Sequence, residues 1–354
     1  MKKWIGSISI VLLLVGCGID NKDTGEEQIQ EIDGQQLEVV ADHLQAPWAI
    51  DKHEDTFYIT ERAGAIVRVQ NGETLRQDVA LEQQLSDASE AGLLGFVLAP
   101  NFSETNEAFA YYTYDKDGQS LNRVVLLQLD HDVWHERQVL IDEIPSGTYH
   151  HVGRLKIGPD QKLYVTAGDA SNPELAQNKD SLAAKILRVN LDGSIPEDNP
   201  FKNSMIYSSG HRNPQGLAWT PEGVMYATEH GQSANDEVNE IKPGKNYGWP
   251  VIEGAEKQDG LVTPLFTSGK DNTWAPSGLA YDRDVLYVAA LRGTALLRFD
   301  LQTNKVREVV NDIGRIRDVW IEEDTLYFIT NNTDGRGKPA AEDDRLYQMT
   351  LIKE

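Results

Sequence analysis

The sequence of 354 residues contains a single cysteine, which excludes an intramolecular disulfide, a cysteine-based zinc cluster and a thioredoxin-type pair. Basic residues are also in short supply, with 33 Lys and Arg against 56 Asp and Glu for a net charge of −23. A molecule of that sign disfavours nucleic acid as its main partner, because phosphate binding needs a basic surface that releases counterions. No apolar run approaches the roughly 20 residues that span a bilayer, and no long amphipathic helical period is present. What the chain does hold is 40% hydrophobic residues, with 8 Phe, 7 Trp and 13 Tyr, which is enough for a sizeable core.

The lone cysteine closes a segment of targeting type. Lys2 and Lys3 precede a mostly apolar stretch from Trp4 to Val15, which ends in Leu14-Val15-Gly16-Cys17. Its length suits a signal peptide over residues 1–16 rather than a membrane helix. The pattern resembles the lipobox of bacterial lipoproteins. That resemblance implies cleavage before Cys17, acylation of its sulfur and amino group, and an extracytoplasmic protein attached to the bacterial cell membrane by lipid alone. An ordinary secretory signal with an incidental cysteine is the alternative. Residues 17–36, rich in Asp, Glu, Gln and Gly, read as a flexible tether, leaving 37–354 as one domain.

That domain repeats. Short β-type runs recur around a tyrosine at Tyr58, Tyr111, Tyr164, Tyr226, Tyr287 and Tyr327, with a mean spacing of about 54 residues. Each is followed by a second β-type run, and several are preceded by another across turn residues such as Pro159-Asp160-Gln161 and Pro221-Glu222-Gly223. Six such units predict an all-β fold, a six-bladed β-propeller of four-stranded antiparallel blades; a β-sandwich leaves the sixfold recurrence unexplained. In a two-stranded hairpin the chain enters and leaves at the same end. Residues before the first strand and after the second therefore share one rim, which collects Glu90, His150, Arg212, Asn213, Arg315 and Arg317 from one side and Asp169, Glu229, Gly231 and Arg292 from the other.

Taken singly these residues have ordinary readings: His150 or His151 as a loop histidine, Arg315 and Arg317 as one face of a strand, Arg212-Asn213-Pro214 as a self-bonded loop. The stretch Glu229 to Asn239 is rich in oxygen ligands, including Asn235, Asp236 and Glu237, without the spacing of an EF-hand. Together they combine an anion-binding set of arginines, a possible base and a possible calcium site.

The strings Glu90-Ala91-Gly92-Leu93-Leu94-Gly95, His150-His151-Val152-Gly153-Arg154-Leu155, Gly210-His211-Arg212-Asn213-Pro214-Gln215-Gly216-Leu217, Glu229-His230-Gly231, Asn246-Tyr247-Gly248-Trp249-Pro250 and Arg315-Ile316-Arg317-Asp318 resemble the soluble glucose and aldose sugar dehydrogenases that use pyrroloquinoline quinone (PQQ). The resemblance runs from about residue 40 to the C-terminus, in the family's order. It implies a propeller that binds PQQ and Ca²⁺, oxidises an aldose sugar at its anomeric carbon to a lactone and passes electrons to an external acceptor. It further implies that His150 is the base, that Arg212 stabilises negative charge on the reacting group, and that Asn213, Arg315 and Arg317 bind the cofactor. Asp169 either orients the base or bonds the cofactor. The carbonyls of Gly231 and Gln232 match ligands of an active-site calcium, while Glu237 and the carbonyl of Tyr247 match a structural one. Departures are Glu90, where the best-known glucose dehydrogenases have Gln beside the base, Tyr149 and Gln232, and Arg292 in place of a cofactor-contacting Lys. A carboxylate at Glu90 is expected to raise the pKa of His150 or to alter substrate binding. A sugar lactonase on a propeller, and a cofactor-free carbohydrate- or protein-binding propeller, are the competing functions.

Overall fold

The protein is described as a computed structural model covering residues 29–32 and 35–351; Cys17 and the targeting segment lie outside the described residues. Its strands fold back on one another in antiparallel groups of four. Successive groups run from Pro47–His53 to Glu73–Ala80, Leu93–Leu98 to Val133–Pro145, Leu155–Ile157 to Ile206–Ser209, Pro214–Trp219 to Phe266–Thr267, and Pro276–Asp282 to Lys305–Val310. The last comprises Ile316–Glu322, Thr325–Thr330 and Leu346–Thr350, and Gln35–Ala41 completes it from the other end of the chain. The first two groups share an edge, where residues 133–135 run parallel to 78–80, and so form a single eight-stranded sheet. Ile29–Ile32 pairs with Gln35–Ala41, so the sheet begins inside the stretch assigned to the tether. Pairing to an otherwise bare strand edge organises a segment whose composition carried no strand signal.

In the first and fifth groups burial falls from the first strands towards the last. Thr56–Glu61, Leu93–Leu98 and Val285–Ala290 are buried at every residue, whereas the outer strand Glu73–Ala80 is exposed at six of its eight positions. The inner strands therefore have sheet on both faces, which is why they read as continuous apolar runs rather than alternating ones. First strands of neighbouring groups pack on each other, except that Leu163–Ala167 makes the contact with Pro214–Trp219, and Ile316–Glu322 packs back against Pro47–His53, closing the circuit. Close approach depends on glycine at one crossing: a Cβ on Gly95 would lie 1.8 Å from the carbonyl oxygen of Gly153 in the next group.

One device recurs in the inner strands. Five of the six first strands carry one extra residue against their partner, between Pro47 and Ile50, Leu93 and Phe96, Pro214 and Leu217, Pro276 and Leu279, and Ile316 and Asp318. Such bulges re-aim side chains that the pleat would send elsewhere. Trp48, Leu94, Gln215 and Arg317, all inside these bulges, line one cavity at the centre of the ring.

Candidate active site

The expected rim forms. His150 precedes Leu155–Ile157, Arg212 and Asn213 precede Pro214–Trp219, and Asp169 follows Leu163–Ala167. Glu90, His150, Arg212, Asn213, Gly231, Gln232, Arg292 and Arg315 border a cleft of about 880 Å³; a contiguous cavity of about 550 Å³ is lined by Arg317 and also touches Glu90, Asn213 and Arg315.

On one wall His150 donates from Nδ1 to Asp169 Oδ1 at 2.7 Å. Asp169 is buried and also accepts from the Ser171 N–H at 2.9 Å and from Trp249 Nε1–H at 3.0 Å. A carboxylate held this way fixes the tautomer of the imidazole, leaving Nε2 of His150 as a proton acceptor facing the cleft. Gly168 makes room for it, since a Cβ there would lie 2.1 Å from the His150 carbonyl. Asp169 therefore orients the His150 imidazole. Glu90 lies beside His150, as expected, and contacts it through the backbone. Its carboxylate accepts from the backbone N–H of His150 at 3.3 Å and pairs with Arg336 rather than with the imidazole. Burial alone would raise the Glu90 carboxyl, but Arg336 and the His150 N–H bring it below its usual value.

The opposite wall is cationic. Arg62, Arg315, Arg317 and Arg336 line the inner cavity together with Glu90 and Asp334, and Arg212 borders the adjoining cleft with Asp169 and Glu229 as its nearest acidic charges. Asp334 Oδ2 accepts from Arg315 at 2.8 Å and lies 3.7 Å from Arg317. Burial, opposed by Asp334 and reinforced by Arg315 and Arg154, pushes Arg317 down to about 9. The Nε atoms of Arg315 and Arg317 are buried without a partner among the described residues. Their convergence does not come from two-residue alternation along a strand. Arg315 precedes its strand, held by the Asn332 side chain accepting from its N–H at 2.9 Å, and Arg317 sits in the bulge.

Arg212 and Asn213 are placed from behind. Glu229 Oε1 accepts from the N–H of Arg212 and, at 3.3 Å, from that of Asn213, while its Oε2 accepts from His211 Nδ1 at 2.9 Å. Ser208 Oγ then donates to His211 Nε2 at 2.8 Å, completing a sealed chain that aims both side chains into the cleft. Arg212 donates to the carbonyls of His230 (3.2 Å) and Gly231 (2.8 Å), so the Gly231 oxygen assigned to calcium is engaged here by a guanidinium. Asp236 is spent on hydrogen bonds from Gly231, Thr273, Trp274 and Ala275 rather than left free as a cation ligand. Glu237 and Tyr247 lie apart, in an adjoining pocket of about 270 Å³ with Glu229, Asn235 and Glu253. Burial, then Glu229, pushes the Glu237 carboxyl up to about 8, and Asn239 Oδ1 nearby is buried without a partner. Among the described residues no group of three or more His, Cys, Asp or Glu side chains is arranged to hold a metal.

With this geometry in view, residues 44–346 match the family described as Glucose / Sorbosone dehydrogenase. The chain belongs to that family. A quinoprotein glucose dehydrogenase B of Acinetobacter calcoaceticus is 36% identical over 269 residues, 66% of this chain and 56% of that one. The aldose sugar dehydrogenase YliI of Escherichia coli is 30% identical over 338 residues, covering 84% of this chain and 91% of its own. Among solved structures, the PQQ-bound aldose sugar dehydrogenase of Streptomyces coelicolor superposes with a TM-score of 0.83 at 33% identity, over 92% of this chain and 98% of that one. Within this dehydrogenase family member, the strings quoted from the sequence contain His150, Arg212, Asn213, Arg315 and Arg317, which all border the cleft or the inner cavity. Sequence reasoning missed Asp334 and Arg336, on a loop after the last tyrosine strand whose only signal is the turn-rich run Asn331-Asn332-Thr333-Asp334-Gly335-Arg336-Gly337.

Proposed function

We propose that this chain is a six-bladed propeller enzyme that oxidises aldose sugars at the anomeric carbon to lactones with PQQ, and hands the electrons to an external acceptor. The observation that carries this reading is the cluster of buried arginines with unpartnered Nε atoms beside an oriented Asp–His pair. A polycarboxylate fits that surplus of donors, and a neutral substrate alone leaves it unexplained. PQQ, when bound, supplies the hydride-accepting quinone. Arg315 and Arg317 would hold its carboxylates, with Asn213 and the rim residue Arg292 as further contacts. His150 Nε2 takes the proton of the anomeric hydroxyl, and Asp169 stabilises the imidazolium that forms. Arg212 supplies positive charge where negative charge develops.

The proposal includes two calcium ions. The carbonyls of Gly231 and Gln232 would hold one at the cleft. Glu237 and the Tyr247 carbonyl would hold the other, and the raised Glu237 carboxyl beside the unpartnered Asn239 oxygen supports it. It also includes lipid attachment through Cys17 at the extracytoplasmic face of the membrane, argued from the sequence pattern. The test is to load the mature protein with calcium and PQQ and to offer it a panel of aldoses, following cofactor absorbance and dye reduction. Sugar-dependent reduction that needs both additions supports the reading. A calcium-loaded protein that binds no PQQ overturns it and turns attention to lactone hydrolysis.

A further inference from the structure

We propose that His230 is a second catalytic histidine, acting as a hydrogen-bond donor: its Nε2–H shares with Arg212 the negative charge that develops on the hydride-accepting group. The inference rests on the redox reading above and adds to it a residue for which the mechanism so far has no use.

His230 alone among the side chains borders all three cavities described, the base-side cleft, the arginine cavity and the acidic pocket behind Arg212. It stands within electrostatic reach of Glu90, Arg317, Arg212 and His150 together. Its position is fixed through the backbone, because its N–H donates to the Asn213 carbonyl at 3.3 Å and its own carbonyl accepts from Arg212 at 3.2 Å. Its tautomer is assigned from the orientation of the Asn213 side chain. Asn213 Nδ2 faces His230 Nδ1 at 3.5 Å, and an amide nitrogen only donates, so Nδ1 accepts and the ring proton resides on Nε2. That Nε2 is buried and has no partner among the described residues. A sealed N–H with nothing to bond is a cost that a ligand atom removes.

The two histidines of the cleft therefore hold opposite tautomers. His150 donates backwards to Asp169 and presents a lone pair, whereas His230 accepts backwards from Asn213 and presents a proton. One is arranged to accept the hydroxyl proton of the sugar. The other is arranged to donate to an oxygen without giving up its proton, as oxyanion-stabilising donors do.

The experiment compares wild type with His230→Leu, which keeps bulk and removes the donor, and His230→Gln, which restores an N–H. Three quantities are read: PQQ affinity by tryptophan fluorescence, single-turnover reduction of bound PQQ by glucose, and unfolding temperature without cofactor. Loss of one preorganised donor predicts a single-turnover rate about 10²- to 10³-fold lower in His230→Leu, with PQQ affinity within about tenfold. His230→Gln should recover at least about a tenth of the wild-type rate, since an amide N–H replaces the donor. The unfolding temperature of cofactor-free His230→Leu should equal or exceed that of wild type, because an unsatisfied buried polar group is removed; a purely structural histidine would lower it. Wild-type rates in His230→Leu, or equal losses in both variants, overturn the role of His230 while leaving the redox reading standing. Wild-type protein that neither binds PQQ nor reduces dye overturns both.

Discussion

At the scale of single residues, the site is built from groups whose partners are chosen rather than merely near. Asp169 holds the proton of His150 on Nδ1, at 2.7 Å, which suits the imidazole to the role of base proposed for it. Asp169→Asn should therefore lower kcat by about 10²–10⁴, the range lost when a positioned base is removed or held in the wrong tautomer, while PQQ affinity changes little; steady-state kinetics with a binding titration check this. Glu237 offers a different test. Burial raises its carboxyl to about 8 from an ordinary 4.5. Between those values the folded protein holds a proton that the unfolded chain has lost, so this group's contribution to stability is complete below the window and falls as pH rises through it. A cation at Glu237 needs the ionised carboxylate. Calcium should thus raise the unfolding temperature more at pH 8 than at pH 5.5, and Glu237→Gln should flatten both the calcium effect and the pH slope; equal calcium shifts in wild type and Glu237→Gln would remove Glu237 from the metal site.

At the scale of strands and loops, the sequence was legible where apolar patterning decides structure. The six tyrosine runs all lie in second strands, such as Leu163–Ala167 and Thr325–Thr330, because burial on both faces leaves a continuous apolar signature. Their hairpin ends placed His150, Asp169 and Arg212 on one rim without any coordinates. The outer strands were not legible, since Lys305–Val310, exposed at four of its six residues, has little apolar pattern to read. Nor were the bulges, because one extra residue interrupts the period that identifies a strand. Hence Trp48 went unnoticed, and Arg317, expected just before its strand, lies one residue inside it, in the bulge. Arg317 in its bulge is crowded by Arg315, Arg154 and Arg62, with Asp334 as its ion-pair partner. Replacing it with Leu removes a buried, imperfectly paired charge. Arg317→Leu should weaken PQQ binding about 10- to 100-fold, the worth of a charge-assisted hydrogen bond, and leave the cofactor-free unfolding temperature unchanged or higher. A fall in both would show that the guanidinium supports the fold rather than the ligand.

At the scale of the whole molecule, the cleft exists only because the ring closes. Its walls come from groups of strands far apart in the chain: Trp48 and Arg62 from the first, His150 from the third, Arg212 and His230 from the fourth, Arg315 and Arg317 from the last. Across the middle, Arg154 donates to Asp318 at 2.6 Å from the third group to the last, beneath the indole of Trp48 at 4.2 Å. The circuit is fastened by Gln35–Ala41, which pairs with Leu346–Thr350 through Glu38 and Gln348, Val39 and Tyr347, and Ala41 and Leu346. Leu37 in that strand is fully buried against the last group. Removing residues 1–28 leaves this fastening in place, whereas removal through Ala41 strips the last sheet of its closing strand and exposes the edge of Leu346–Thr350. The shorter truncation should keep a single cooperative unfolding transition and its sugar-oxidising activity. The longer one should lose PQQ binding along with stability, because the arginines of the last group no longer face fixed partners in the first. Calorimetry and a cofactor titration on the two truncations decide it: retention of tight PQQ binding without Gln35–Ala41 would mean that the inner-strand contacts alone hold the ring, and that the paired termini are dispensable for the site.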